Sequence, residues 1–552
     1  MQKDTCVIKD INSKHLLNVN RFVLILIIIT YLFSAINSNG FHHPDEHFQL
    51  IEFAGLKAGW NTGDDLAWEY GAQIRPALQP YLALVIFKLA GLFGIKDPFI
   101  LATLLRGLTA VFSILSVLFF ISCFKPSIKS RYHPALIVLS FFIWFFPSIN
   151  VRFSSEIWSG LCLLISVGLV ELNRQSKLRY FIIGVLFGLS FEFRFQTAFA
   201  IAGIILWLIC IRKNSFREIL YIFWGGILIV ALCTSLDSLF YGQFVFTPYN
   251  YFRVNIIENV SSHYGTAPWY AYITSILIAP NFLIGAVILL SFTILLGYDY
   301  KNIILWTIIP FIVFHSVIPH KELRFLFPLI NFVPFLLIYA YQQIIDRIKK
   351  KNFLEIFFNS VLLAMLCINL GGLAMMLFKP AGNGSINLIH YISRKYGDTE
   401  SLTIYSLKNN NLYISSNSEG LNASFYLPDN LILKDITTEF LTHPEPNRLV
   451  VLSKGHYTER VLLEKNGYKM EKPGIPAWIM ELNKFYGVFN EEAVPILYTQ
   501  ENDYERDSKI FLLPNPDLLL LQTKGQTTWE EQMVSPPING FIFIYIYKVS
   551  YK

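Results

Sequence analysis

Apolar runs long enough to cross a bilayer recur along most of this chain, and nothing constrains its fold more. They cover residues 22–36, 77–95, 99–124, 133–150, 155–172, 180–196, 197–211, 218–240, 271–297, 302–319, 325–345 and 353–378. A helix needs about 20 apolar residues to cross roughly 30 Å of hydrocarbon, and most of these runs approach that length. Only 15% of the 552 residues are charged, against about 25% in soluble proteins. The expected fold is an α-helical multi-pass membrane protein of about eleven spans plus interfacial helices. After residue 380 or so, Asn, Glu, Lys and Pro return and the apolar runs shorten to strand length. The expected organisation is therefore a transmembrane bundle over 1–379, with a first extramembrane loop at 39–98, and a soluble mixed α/β domain over 380–552. Within the latter, 402–407, 448–453 and 540–547 read as strands and 458–466 as a helix.

Basic residues set the orientation. Clusters at Lys125/Lys129/Arg131, Arg174/Lys177/Arg179, Arg212/Lys213/Arg217 and Arg347/Lys349/Lys350/Lys351 fall on every second loop. If 77–95, with Gln79, Pro80 and Lys88, lies in the interface rather than spanning, all four clusters join the basic N-terminal tail on the cytoplasmic side. The opposite, lumenal or periplasmic face then collects Asp45/Glu46, Ser154-Ser155-Glu156, Glu192-Phe193-Arg194, Asp237, the loop 241–270 and His320-Lys321-Glu322-Leu323-Arg324. The 380–552 domain falls on that face too.

Charges at the mouth of a span are costly unless paired, so they are functional candidates by default. Asp45 and Glu46 stand between His42, His43 and His47. Adjacent carboxylates cannot share one orientation, so one can face a substrate while a neighbour fixes the other; the bland alternative is an N-terminal helix cap after Pro44. A carboxylate beside a cavity can act as general base toward a hydroxyl. Lys321 and Arg324, spaced i, i+3, would share a helix face and suit a phosphate. Asp237, Asn255, Trp269, Trp68 and Arg194 are candidates for sugar contacts, with aromatic-belt packing or a Glu192–Arg194 ion pair as the simpler readings.

No HExxH, P-loop, GxGxxG or nucleophile-elbow motif occurs, and a formal charge of +6 does not imply nucleic acid. The six cysteines show no CxxC spacing, so neither a disulfide framework nor a thiolate metal site is indicated. Pro44 interrupts the histidine spacing, and neither a required metal nor another cofactor is expected.

His43-Pro44-Asp45-Glu46-His47, Trp68-Glu69-Tyr70, Arg75, Asp237 with Tyr241-Gly242, Tyr264-Gly265-Thr266 with Pro268-Trp269, and His320-Lys321-Glu322 with Arg324-Phe325 occur in order over residues 20–345. Together they resemble the polyprenyl (dolichyl)-phosphate-mannose-dependent mannosyltransferases. These add α-1,2 mannoses to glycosylphosphatidylinositol (GPI) precursors and lipid-linked oligosaccharides. The 237–269 block is most similar to the branch adding the third mannose of the GPI core. The resemblance implies a GT-C bundle with its catalytic carboxylate in the first lumenal loop, a polyprenyl-phosphate mannose donor and a lipid-linked glycan acceptor. It implies Asp45 as base, with Glu46 supporting or substituting, and inversion at the anomeric carbon. His320, Lys321 and Arg324 would hold the donor phosphate; His43, His47, Trp68, Glu69, Arg75, Arg194, Asp237, Asn255 and Trp269 would bind substrate. The protein would reside in the endoplasmic reticulum membrane of a eukaryote or the inner membrane of a bacterium. The chain departs from the family at Ala267, where a His is usual, in Pro268-Trp269-Tyr270-Ala271-Tyr272, and in lacking the family's C-terminal cysteine stretch. The competing function is a lipid-linked glycan flippase or transporter, or a transferase using another polyprenyl-phosphate sugar.

Overall fold

A computed structural model describes residues 20–500, apart from 173–175, 346, 348–351, 398, 400, 408–420, 429 and 445–447. The basic N-terminal tail and the strand expected at 540–547 lie outside the described residues.

The apolar runs become helices, each started by its own local chemistry. The principal ones are α1 (Arg21–Asn37), α2 (Leu78–Leu92), α3 (Pro98–Phe124), α4 (Ser155–Glu171), α5 (Lys177–Phe193), α6 (Ala198–Cys210) and α7 (Phe216–Tyr241). They are followed by α8 (Phe282–Tyr298), α9 (Ile303–Val317), α10 (Val333–Ile345) and α11 (Asn352–Phe378). Asp97 caps α3 by accepting from the Phe99 N–H at 2.7 Å, with Pro98 in the first turn. A Ser215/Glu218 capping box opens α7, and Gly242, at φ +73°, ends it. Prolines divide two of the runs. Residues 133–150 form helices His133–Phe142 and Phe146–Asn150, with Pro147 opening the second. Residues 271–297 break at Pro280-Asn281. Among the described residues, four helices are long and apolar enough to cross a membrane: Pro98–Ser127, Phe216–Tyr241, Leu323–Ile345 and Ser360–Phe378. Five shorter apolar helices, α2 among them, accompany these four.

Without water to drive helices together, membrane bundles rely on small residues that let backbones meet. Here α5 and α7 approach so closely that a Cβ on Gly184 would strike the Ile222 carbonyl, and one on Gly225 the Phe181 carbonyl. The outer face of α7 leaves Phe223, Trp224 and Leu232 exposed, as a lipid-facing surface does.

After helix α12 (Ser385–Tyr396) comes a five-stranded sheet of β1 (Leu402–Ser406), β2 (Leu431–Asp435), β3 (Leu449–Ser453), β4 (Tyr468–Pro473) and β5 (Pro495–Gln500). Its order is β2-β1-β3-β5-β4. β1 runs parallel to β2 and β3, while β5 is antiparallel to β3 and β4. β3 is apolar without alternation because both its faces are covered. Leu449 and Val451 join Phe48, Phe53, Phe99 and Ile389 in one core, while Val450 and Leu452 pack with Leu463 and Phe440 in another. The sheet thus packs directly onto the first loop of the bundle.

Gly184→Leu should wedge α5 from α7 at a cost of about 1–3 kcal/mol, seen as a lower melting temperature in detergent. Gly107→Leu, which faces open space, should leave that temperature nearly unchanged.

Candidate active site

Pro44 opens a single helical turn, Asp45–Phe48, just beyond α1. The two carboxylates of that turn part company. Glu46 is buried, its Oε2 accepting from Arg152 Nε at 2.8 Å and Nη2 at 2.7 Å and from the His42 N–H at 3.1 Å. Arg152 also donates to Ser38 and Gly40, so this pair closes the loop onto the bundle. Both carboxylates line one cavity, but the Asp45 side chain stays 21% exposed against 8% for Glu46.

Asp45 Oδ2 lies 2.7 Å from Arg324 Nη1 and 3.6 Å from Arg75 Nη2; Oδ1 lies 3.3 Å from His43 Nδ1. Arg324 is shared further. Its Nε meets Glu322 Oε2 at 2.5 Å and its Nη1 meets Glu156 Oε1 at 3.1 Å. Glu156 in turn holds Arg194 at 2.8 Å, and His43 Nε2 reaches Glu322 at 3.2 Å. Burial pushes the Asp45 carboxyl up, but the charges of Arg324, His43 and Arg75 outweigh it and hold the group well below the usual carboxylate range. The same balance, led by Arg324, lowers Glu322. His320 rises because its hydrogen bonds to Glu322 and the Gly265 carbonyl outweigh burial.

The cavity holds about 550 Å³ of empty space, counting the solvent at its open mouth. Asp45, Arg75, Glu156, Arg194 and Tyr251 line it. Arg75 is half-buried between Asp45 and Glu69, which lies 3.4 Å away, and its Nε has no partner among the described residues. Burial raises Glu69 despite Arg75, and Gln49 donates to it at 2.7 Å.

Several expected site residues make their contacts within the protein. His47 is buried at 2.7 Å from Glu52 and stacked between Phe41 and Tyr426. Asp237 spends both oxygens inside the protein, accepting from the Ala77 N–H at 2.7 Å and Thr247 Oγ1 at 2.5 Å; it anchors the cavity wall. The shared face expected of Lys321 and Arg324 does not form. His320–Glu322 are not helical, since the 3-10 helix begins only at Leu323. Lys321 therefore turns to the Ala267 and Ile318 carbonyls, and His320 braces Glu322 at 2.8 Å. Arg194 pairs with Glu156, not Glu192. Trp68 stacks on Tyr264, Asn255 donates to the Tyr251 carbonyl, and Trp269 stays 68% exposed. Sequence reasoning missed Arg152 and Tyr251. The only signal for Arg152 was a cation just before Ser154-Ser155-Glu156; that for Tyr251 was its place in the 241–270 loop.

Two outcomes test these pairings. Arg152→Ala strands Glu46 as a buried unpaired charge and should cost about 3–5 kcal/mol of stability, measured by thermal melting. A carboxyl lowered on folding contributes stability that is present above its ordinary pKa and lost below it. The melting temperature should therefore fall as pH drops below the ordinary glutamate value of 4.5, and Glu322→Gln should flatten that fall.

The sequence signature of the Alg9-like mannosyltransferase family matches residues 22–409. GPI alpha-1,2-mannosyltransferase 3 of Danio rerio is 24% identical over 320 residues, 56% of this chain and 57% of that protein. GPI mannosyltransferase 3 of Candida albicans is 26% identical over 309 residues, 55% of this chain and 61% of that protein. The match thus spans little more than half the length of these curated relatives. Among solved structures, ArnT from Cupriavidus metallidurans bound to undecaprenyl phosphate is similar over 87% of this chain and 97% of its own, at 10% identity and a TM-score of 0.46. With its signature running from the start of α1 to just past β1, the chain belongs to the Alg9-like mannosyltransferase family.

Proposed function

We propose that this chain is an inverting glycosyltransferase of GT-C architecture. It moves mannose from a polyprenyl-phosphate donor onto a hydroxyl of a lipid-linked glycan, such as a GPI precursor. The observation that carries the reading is the division of labour in the opening turn. Glu46 is locked by Arg152, while Asp45 is the more open of the two to the cavity they share and has two guanidiniums within 3.6 Å of one oxygen.

In the reaction, the acceptor oxygen attacks the anomeric carbon and gives its proton to Asp45. The bond from that carbon to the phosphate oxygen breaks, and its electron pair leaves with the polyprenyl phosphate. Attack and departure on opposite faces convert a β-linked donor into an α-mannoside. Arg324 and Arg75 stabilise the departing phosphate by electrostatic preorganisation, and the unspent Nε of Arg75 offers that anion a donor. A carboxylate held well below its usual pKa is a weak base. A phosphate that draws Arg324 away removes the largest of the opposing charges on Asp45, so donor binding itself readies the base. His320 and Lys321 support this site by holding Glu322 and the 265–267 turn. The active face is lumenal in an endoplasmic reticulum membrane, or periplasmic in a bacterial inner membrane.

The test is transfer of labelled mannose from polyprenyl-phosphate mannose in membranes. Asp45→Asn should lower kcat by about 10²–10⁴-fold, the usual contribution of a positioned base, with rates normalised to the amount of folded protein. Near wild-type transfer by that variant removes Asp45 as the base. Movement of the glycolipid without transfer favours a flippase instead.

A further inference from the structure

The cavity lining includes polar groups that the transfer chemistry does not use. Glu192, on the last turn of α5, and Gln79, on the first turn of α2, both line it. Both are almost wholly buried, at 1% and 3% exposure. Neither oxygen of Glu192 has a hydrogen-bond partner among the described residues, and neither the nitrogen nor the oxygen of the Gln79 amide has one. Four unspent polar atoms in the lining of one cavity are unusual, because buried polar groups are nearly always satisfied and the exceptions need a reason. An ion pair does not explain Glu192, since Arg194 two residues on is taken by Glu156. Nor does a helix cap, since the cap of α5 is a backbone bond from Arg194 to Ser190.

We propose that Glu192 and Gln79 form a sugar-binding subsite that recognises neighbouring hydroxyls of a hexose ring. Each ring hydroxyl both donates and accepts. A carboxyl and a carboxamide lining one cavity supply acceptors and a donor together, the set that a pair of vicinal hydroxyls needs. A site built to hydrogen-bond hydroxyls rejects analogues that lack them, because its own buried groups would then stay unpaired. The pair therefore sets which sugar is accepted, while Asp45 and Arg324 carry out the transfer. The identity of the ring rests on the transferase reading, and it belongs either to the donor mannose or to the terminal sugar of the acceptor.

Glu192→Met and Gln79→Met test the pair, using purified full-length protein in detergent. Binding is measured by equilibrium dialysis with a short-chain polyprenyl-phosphate mannose and, separately, with a mannose-terminated glycolipid. Removing buried polar atoms that no protein group satisfies should leave the melting temperature of the free protein unchanged or higher. The same changes should weaken binding of one of the two glycolipids at least tenfold and leave the other within twofold. The ligand affected names the ring. Glu192→Gln, which keeps hydrogen bonding, should recover most of the affinity. A lowered melting temperature in both methionine variants assigns the pair to the scaffold and overturns the subsite. So does wild-type affinity for both ligands in both variants. Wild-type protein that binds neither glycolipid overturns the transferase reading, and the subsite with it.

Discussion

Arg324 sits where three segments of the chain meet. Its guanidinium contacts Asp45 of the first loop, Glu156 at the start of α4 and Glu322 of its own loop. A buried guanidinium is tolerable only when such partners surround it, and the loss of any one leaves charge uncompensated. The position of Asp45 relative to the cavity is therefore fixed by electrostatic demand from Arg324 as much as by the short turn it occupies. Glu46, one residue on, obeys the same rule with a different cation. Adjacent carboxylates thus acquire different duties from their partners alone.

The segment between β1 and β2 takes part in this arrangement. The N–H of Phe425 donates to Glu52 at 3.0 Å, and Glu52 holds His47. Tyr426 covers the other face of that imidazole. The strand-rich half therefore buttresses the turn bearing Asp45 from the side away from the cavity, and β3, buried on both faces, gives that buttress a rigid back.

Much of this was legible in the sequence because it depends on local patterns. Apolar period and length gave the helices, and the unbroken Leu449–Leu452 run gave a strand covered on both sides. The cluster around Asp45 stood out because charge beside hydrocarbon is costly. What escaped were pairings set by tertiary approach. Arg152 meets Glu46 across 106 positions, and Asp237 meets Ala77 across 160, so neither partner could be named from spacing. The face shared by Lys321 and Arg324 was an error of a different kind, since helical periodicity was applied across a boundary: the helix begins only at Leu323. Breaks at Pro147 and Pro280 went unread because hydropathy averages over single residues.

The bond from Phe425 to Glu52 joins positions 373 residues apart. At roughly 5–20 residues per second of synthesis, the N-terminal loop emerges about 20–75 s before the segment that braces it. During that interval the loop has its carboxylates but not its backing. Competence for chemistry is then a property of the finished chain, and an interrupted polypeptide would carry the whole constellation around Asp45 without the wall that holds it in place.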